Sequence, residues 1–405
     1  MTQSLSGTLA ALMLAVAGGA ARTVDVQFVA RVTRGLGLAA AIPVIWMIVQ
    51  LLPVPFPELA HTIWINSAEA LDQKAWGHIS VDLGKTIVAL AIYLANVALI
   101  LTSILVAKDH RRAGSLFILL GAITVLTVVA LLADHFFHLF VFALGNPQDV
   151  LGAASALGLI LSLAACAAGL ERSEDRRLAL AANARTFVIA SGAGLLICAA
   201  GLAATRNENV AIVVAFGVAT FVSIQLVRRL KLGAWSTAVL LATLATAAVM
   251  IIVWRFDTAR ALSPLSQFAT AAPADSLAVA QRLLSDTGWL GTGAGTYTVL
   301  LPIYQEFGSM TTQPPSTAAA FAVELGIPMV LIATAIVVAL IIRLYRGALS
   351  RGRDSFYAAA AASGVIILFG ETFCDASLLH SGVAVIGDTI VGIGLAQSAS
   401  RTDTP

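Results

Sequence analysis

The sequence predicts an all-α, polytopic membrane protein with about eleven transmembrane helices and one long outward-facing loop. Its composition is the first reason, since 59% of the 405 residues are hydrophobic and only 11% charged. With a mean hydropathy of +0.91, that balance is too apolar for a soluble domain, so most of the chain must have lipid as its solvent. The second reason is a succession of apolar runs, each about 20 residues long, the length that crosses a bilayer. The third is the placement of Lys and Arg, which also sets the orientation.

Taken in order, the apolar runs lie near 5–21, 35–52, 84–106, 113–133, 151–170, 186–204, 209–227, 234–253, 318–343, 355–374 and 379–397. The first run is similar to a signal-peptide core, but no positive charge precedes Arg22, so a retained helix with its N-terminus outside is expected. Alternate loops are then cytoplasmic and should be basic. Arg22, Arg31, Arg34, Lys108, Arg111, Arg112, Arg172, Arg176, Arg177, Arg185, Arg228, Arg229, Lys231, Arg343, Arg346, Arg351, Arg353 and Arg401 fall on that side, 18 of the 24 basic residues. Only Lys74, Lys85, Arg206, Arg255, Arg260 and Arg282 fall outside. One missed helix would scramble the partition downstream, so the split supports the helix count as well as the orientation. The chain divides into helices 1 to 8 over 1–253, an outer loop with a short helix over 254–315, and helices 9 to 11 with a cytoplasmic tail over 316–405. The stretch 135–144 has the character of an interfacial or re-entrant piece.

Three outer loops exceed a simple turn: 53–83, 134–150 and 254–315. The last carries Trp289, Tyr297 and Tyr304 among small and polar residues, and the stretch 275–286 has a helical pattern. Long loops with aromatic content are more often folded binding elements than linkers. Within it, GWLGTGAGTY (288–297) places Gly291, Gly293 and Gly295 at alternate positions. No strand precedes this stretch and no Lys-Ser/Thr follows, which excludes a nucleotide loop. Two readings remain: a tight turn that requires small residues or positive φ, or a turn whose backbone N–H groups approach a phosphate or sugar.

Among charged residues, Arg206 stands out because it lies in the four-residue outer connection Thr205-Arg206-Asn207-Glu208, where orientation predicts no cation. It either snorkels to lipid headgroups or pairs with Glu208, or offers bidentate donors to a pyrophosphate. Glu324, Glu371 and Asp388 lie within apolar runs, where an unpaired carboxylate is costly and usually turned to a cavity or partner. Glu324 and Glu371 lie near the outer ends of theirs and are candidates to line one outward cavity. Asp388, with Gly387, Gly392 and Gly394 around it, fits close helix packing. The six histidines, including His135 and His138, show no metal-ligand spacing, and Cys166, Cys198 and Cys374 are expected as buried thiols.

Four stretches carry a resemblance to a known family. They are ATRNENVAIVVAFGVATFV (204–222), GWLGTGAGTYTVLLPIYQEF (288–307), AAAFAVELGIP (318–328) and FCDASLLHSGVAVIGDTIVGIGLAQS (373–398). In this order and spacing the chain resembles the bacterial O-antigen ligase and O-antigen polymerase family over most of its length. The resemblance implies a GT-C-type membrane glycosyltransferase of the bacterial inner membrane, with the N-terminus periplasmic and the C-terminus cytoplasmic. Such an enzyme moves or polymerises a glycan from an undecaprenyl-pyrophosphate carrier onto a lipid or glycan acceptor, for lipopolysaccharide or exopolysaccharide. It needs no metal or cofactor, because a pyrophosphate leaving group requires cationic stabilisation more than protonation. Membrane lipids, a chain-length regulator and a flippase are the implied neighbours, and nucleic acid is not.

In that framework Arg206 and Glu324 are the expected catalytic residues. Arg282, Gly291, Gly293, Gly295, Tyr297, Glu371, Asp375 and His380 are expected to bind substrate. The chain departs from the family at two places. Pro315 and Ser316 stand where many members have His-Asn, and no Arg stands near Pro273, the closest being Arg260 and Arg282. The acceptor base is then sought among Glu324, Glu306, Asp286 and His380. The rival expectations are a transporter or flippase for a similar lipid and a non-catalytic member of a polysaccharide assembly complex.

Overall fold

A computed structural model describes residues 23–72, 76–137, 147–174, 181–205, 207–229, 274–305, 313–350 and 354–399. Among them the regular structure is helical: α1 (Thr23–Val32), α2 (Leu36–Leu51), α3 (Thr62–Leu71), α4 (Leu83–Val106), α5 (His110–Phe137), α6 (Pro147–Glu174) and α7 (Ala181–Thr205). Then follow α8 (Glu208–Arg229), α9 (Ala274–Asp286), α10 (Tyr297–Tyr304), α11 (Thr317–Leu325), α12 (Ile327–Ser350), α13 (Ser355–Cys374) and α14 (Ser381–Ser398). Eight of these are long and apolar enough to cross a membrane, or nine if α1 and α2, which meet at 78°, form one span. The chain is therefore a multi-pass membrane protein. The apolar runs near 5–21 and 234–253 lie outside the described residues, as does most of 135–144.

Helices α6, α13 and α14 form the centre of the bundle, and small residues let them approach. Ala358 to Ala362 of α13 are fully buried. A Cβ on Gly394 would strike Ala361, one on Gly217 would strike Ile367, and one on Gly370 would strike Val213. Between membrane helices no water is displaced, so van der Waals packing of small residues is the main attraction. The two contacts from α8 (Gly217 to Ile367, Val213 to Gly370) run in opposite chain directions, so Glu208 lies at the same end of the bundle as Cys374. The lipid-facing surface carries large apolar side chains instead, such as Leu126, Leu196 and Leu331, each about two-thirds exposed.

At that same end sits a cap. Val279, Ala280 and Leu283 of α9 pack with Tyr297, Leu300 and Leu301 of α10 and with Ala320 and Val323 of α11, forming an apolar cluster separate from the bundle core. The helical stretch expected at 275–286 is present as α9.

One expectation is corrected here. The apolar run 318–343 is not a single helix but breaks at Gly326 into α11 and α12. Gly326 takes φ +83°, a left-handed value that an L side chain rarely adopts. Pro328, two residues on, has no N–H with which to close a helical bond onto the Glu324 carbonyl. That carbonyl therefore turns outward, and the cap uses it.

Candidate functional site

The carbonyl of Glu324 accepts the N–H of Gly293 at 2.9 Å and Nε2 of Gln50 at 3.0 Å. Around this junction the Gly-rich turn is fixed from three sides. From α2, Gln50 also donates Nε2 to Leu290 O (3.3 Å) and accepts the Ala294 N–H on Oε1 (3.2 Å), while Trp46 donates Nε1 to Leu325 O at 3.0 Å. The segment before α4 adds Val81 N–H to Thr292 O at 2.8 Å, and the first turn of α4 adds Thr86 Oγ1 to Ala294 O at 3.1 Å. From α11, Val323 O accepts Thr292 N–H at 2.9 Å. Gln50 is completely buried, so each of these bonds replaces one that water would otherwise supply.

The three glycines have left-handed φ angles, +81° at Gly291, +107° at Gly293 and +77° at Gly295. Space matters as much as conformation: a Cβ on Gly291 would enter the Glu324 carbonyl, and one on Gly293 would enter the Ser80 side chain. The turn's N–H groups point inward. Tyr297 N–H donates to Oε1 of Glu324 at 3.1 Å, and Gly295 N–H also reaches that carboxylate. The anion cradled by this turn is the protein's own Glu324 rather than an external phosphate.

Glu324, at the end of α11 and ahead of the span that begins at Ile327, is 9% exposed. Burial pushes its carboxyl up to about 7, against the opposing pull of the Gly295 and Tyr297 N–H groups, which favour the charged form. A carboxyl with a midpoint near neutrality exchanges its proton readily at physiological pH. Burial, and secondarily the Glu324 charge, raises the Tyr297 phenol, whose oxygen is buried without a hydrogen-bond partner.

A second polar group lies at the other end of α11. Thr317 donates N–H (2.9 Å) and Oγ1 (3.2 Å) to the Asp375 carbonyl, which ties the start of α11 to the end of α13. Asp375 Oδ1 accepts the Ser377 N–H at 3.0 Å, and burial raises its carboxyl while Ser377 opposes the shift. One turn earlier, Glu371 is fully buried with neither carboxylate oxygen hydrogen-bonded. His380 stands at the start of α14, its side chain making no capping bond, half-buried, with burial lowering its imidazole. At 1.5 Å per residue, Thr317 and Glu324 are separated by about 10 Å along α11.

The expected site residues thus fall into two groups bridged by one short helix. Gly291, Gly293, Gly295, Tyr297 and Glu324 converge; Glu371, Asp375 and His380 form the second group. Arg282 is exposed on α9, with Nη1 at 3.5 Å from Tyr304 O, and the neighbouring Asp286 side chain bonds Tyr304; both join α9 to α10. Arg206, Arg260 and Glu306 lie outside the described residues. Asn207, beside Arg206, caps α8 through Oδ1 to the N–H groups of Asn209 (3.1 Å) and Val210 (3.4 Å). Among the described residues no three His, Cys, Asp or Glu side chains are grouped to hold a metal. Cys198 and Cys374 are buried and Cys166 is partly so.

Gln50, Trp46, Ser80 and Thr86 were not singled out from the sequence, although they hold the turn. A signal was present in IWMIVQLLP, where one amide side chain interrupts an apolar run just before a proline. No protein-family model matches the chain, and no curated protein matches it.

Proposed function

We propose that the chain is an O-antigen ligase-like or polymerase-like glycosyltransferase that works at the cap end of the bundle. It takes a glycan from an undecaprenyl-pyrophosphate carrier, with the cap facing the periplasm. The observation that carries this reading is the convergence of the Gly-rich turn and Glu324 at one bundle end. The acidic corner of Glu371 and Asp375 lies across α11, and the α7–α8 connection that contains Arg206 belongs to the same end. In this reading Arg206 holds the pyrophosphate, whose developing charge it stabilises. Glu324 fixes the cap and answers to pH, and the second acidic corner orients the acceptor.

A transporter of a similar lipid is the rival that the broken helices favour. Transporters place such breaks near the bilayer midplane; here the α11–α12 break lies beside the cap, at an end of the bundle. Pro315 and Ser316, standing where the resembled family has its His-Asn pair, favour instead a non-catalytic member of an assembly complex. The test is Arg206→Ala expressed in the native host at normal protein level. Loss of surface polysaccharide is expected, and unchanged polysaccharide sinks the proposal. Purified protein in liposomes with carrier-linked glycan separates the rivals, since an enzyme forms a glycosidic bond without moving the lipid across.

A further inference from the structure

Between α2 and α4 the described residues make neither a span nor a simple turn. Residues 52–72 include a 3-10 turn (Pro57–Leu59) and α3, and together with Trp76 they display Leu52, Phe56, Leu59, Ile63, Ile65 and Leu71 to the outside. The exposures are large for such side chains: 63% at Phe56, 68% at Leu71 and 72% at Trp76. No residue of α3 is buried. A water-facing loop would not concentrate so much apolar surface, because each side chain left in water forgoes its favourable transfer into an apolar phase.

This segment is held in place rather than loose. Val54 N–H bonds Gly77 O at 2.8 Å, His61 N–H bonds His78 O at 2.9 Å, and the Trp64 ring packs on His78 with its Nε1 donating to Ser80 O at 2.9 Å. A Cβ on Gly77 would contact Ala60 closely, so the two arms lie against each other. The exposed face is therefore a defined surface. It is also continuous at both ends with surfaces that face lipid: Leu38, Ile45 and Ile48 are exposed along α2, and Ile87, Val88 and Leu94 along the spanning helix α4.

We infer that residues 52–72 and Trp76 form an interfacial platform whose partner is the phospholipid layer itself, with Phe56, Leu71 and Trp76 seated at the headgroup–acyl boundary. Tryptophan at the end of a span and an apolar face about 5–10 Å deep in the interface are the features that such placement requires. Exposed Glu58, Glu69 and Asp72 accompany this face, which favours a zwitterionic over an anionic surface. The platform is joined to the candidate site through Ser80 and Val81, Ser80 being held by Trp64. Ser80 N–H bonds Gln50 O at 3.2 Å and Val81 N–H bonds Thr292 O, so the depth at which the platform sits sets the height of the Gly-rich turn above the membrane. This inference rests on the membrane architecture alone and stands or falls independently of the proposed glycosyl transfer.

The test uses the full chain reconstituted in phosphatidylcholine vesicles that carry bromine either near the headgroup end or near the methyl end of the acyl chains. The emission of Trp76 is taken as the difference between the parent protein and Trp76→Phe, a substitution at an exposed position that leaves the fold intact. Expected is a blue-shifted component quenched more by the headgroup-end bromine than by the methyl-end bromine, and poorly by aqueous acrylamide. A red-shifted component open to acrylamide and untouched by either lipid overturns the inference. So does quenching by bromolipid that disappears as the protein-to-lipid ratio rises, since that marks a second copy of the chain as the occupant. As a second measurement, a cysteine-reactive polarity-sensitive dye on Leu71→Cys should report an apolar environment in vesicles, and an aqueous one counts against it.

Discussion

The bundle and the cap are built by different physics, and their glycines show the difference. In the bundle, glycines sit in ordinary helical backbone and serve as holes into which a neighbour fits, as Gly217 receives Ile367 and Gly370 receives Val213. In the cap, Gly291, Gly293, Gly295 and Gly326 all have positive φ and serve as hinges that bring backbone against backbone. The bundle's attraction is spread over many weak contacts. The cap depends on a few directional bonds converging on one carboxylate and one buried amide. A cap of this kind should fail abruptly at single positions, whereas the bundle should yield gradually.

Gly326→Val is expected to give the largest effect. The valine must hold a left-handed φ, at about 1–3 kcal/mol, and its Cβ strikes the Trp289 carbonyl, for roughly 1–3 kcal/mol more. Detached from α12, the cap should open while the bundle persists. The expected outcome is a lower first thermal transition in detergent and faster tryptic cleavage at the exposed Arg282, with far-UV helicity nearly unchanged. Equal cleavage rates for the two proteins would show that the α11–α12 break does not hold the cap.

Next in size is the pH response of Glu324. Its carboxyl moves from an ordinary value of 4.5 to about 7 on folding, so between those limits the folded chain binds more protons than the unfolded one. Stability from this group is fully present below about pH 4.5, is lost as pH rises to about 7, and is flat beyond, a change of about 3 kcal/mol over the window. Glu324→Gln keeps an oxygen for the Tyr297 and Gly295 N–H groups but removes the proton equilibrium. Its thermal stability relative to the parent should therefore rise between pH 4.5 and 7 and then level off. Parallel profiles would mean that Glu324 does not titrate in this window.

These two residues also mark what was legible in the sequence. Hydropathy located the described spans because lipid demands about 20 apolar residues whatever the fold; α4, α5, α8 and α13 lie within a few residues of their expected positions. The α11–α12 break was hidden because AAAFAVELGIPMVL is apolar apart from Glu324, and a window average is blind to a change of direction. The local signal was Gly326 followed by Pro328, a helix end and a helix start in immediate succession. Positive φ at the Gly-rich turn was among the expectations, but the partner of that turn was not. Its donors are satisfied by Glu324 and by Gln50, which lies more than 200 residues away, and no local pattern encodes such a pairing. Arg206, on which the proposed chemistry most depends, was legible only as a charge out of place.

The smallest effect should come from a bundle glycine, and it should have the opposite sign. Gly364 lies in the middle of α13, and a Cβ there would meet Ile390 Cγ2 at 3.6 Å and Leu157 Cδ2 at 3.8 Å, which is ordinary contact. Alanine at this position restricts the unfolded chain without strain in the folded one, so Gly364→Ala should stabilise by about 0.4–1 kcal/mol. A modest rise in the main thermal transition is expected, with tryptic cleavage at Arg282 unaltered. If the substitution instead loosens the cap, the two regions are mechanically coupled along α13, whose end carries the Asp375 carbonyl that anchors Thr317, and the contrast between a diffuse bundle and a brittle cap does not hold.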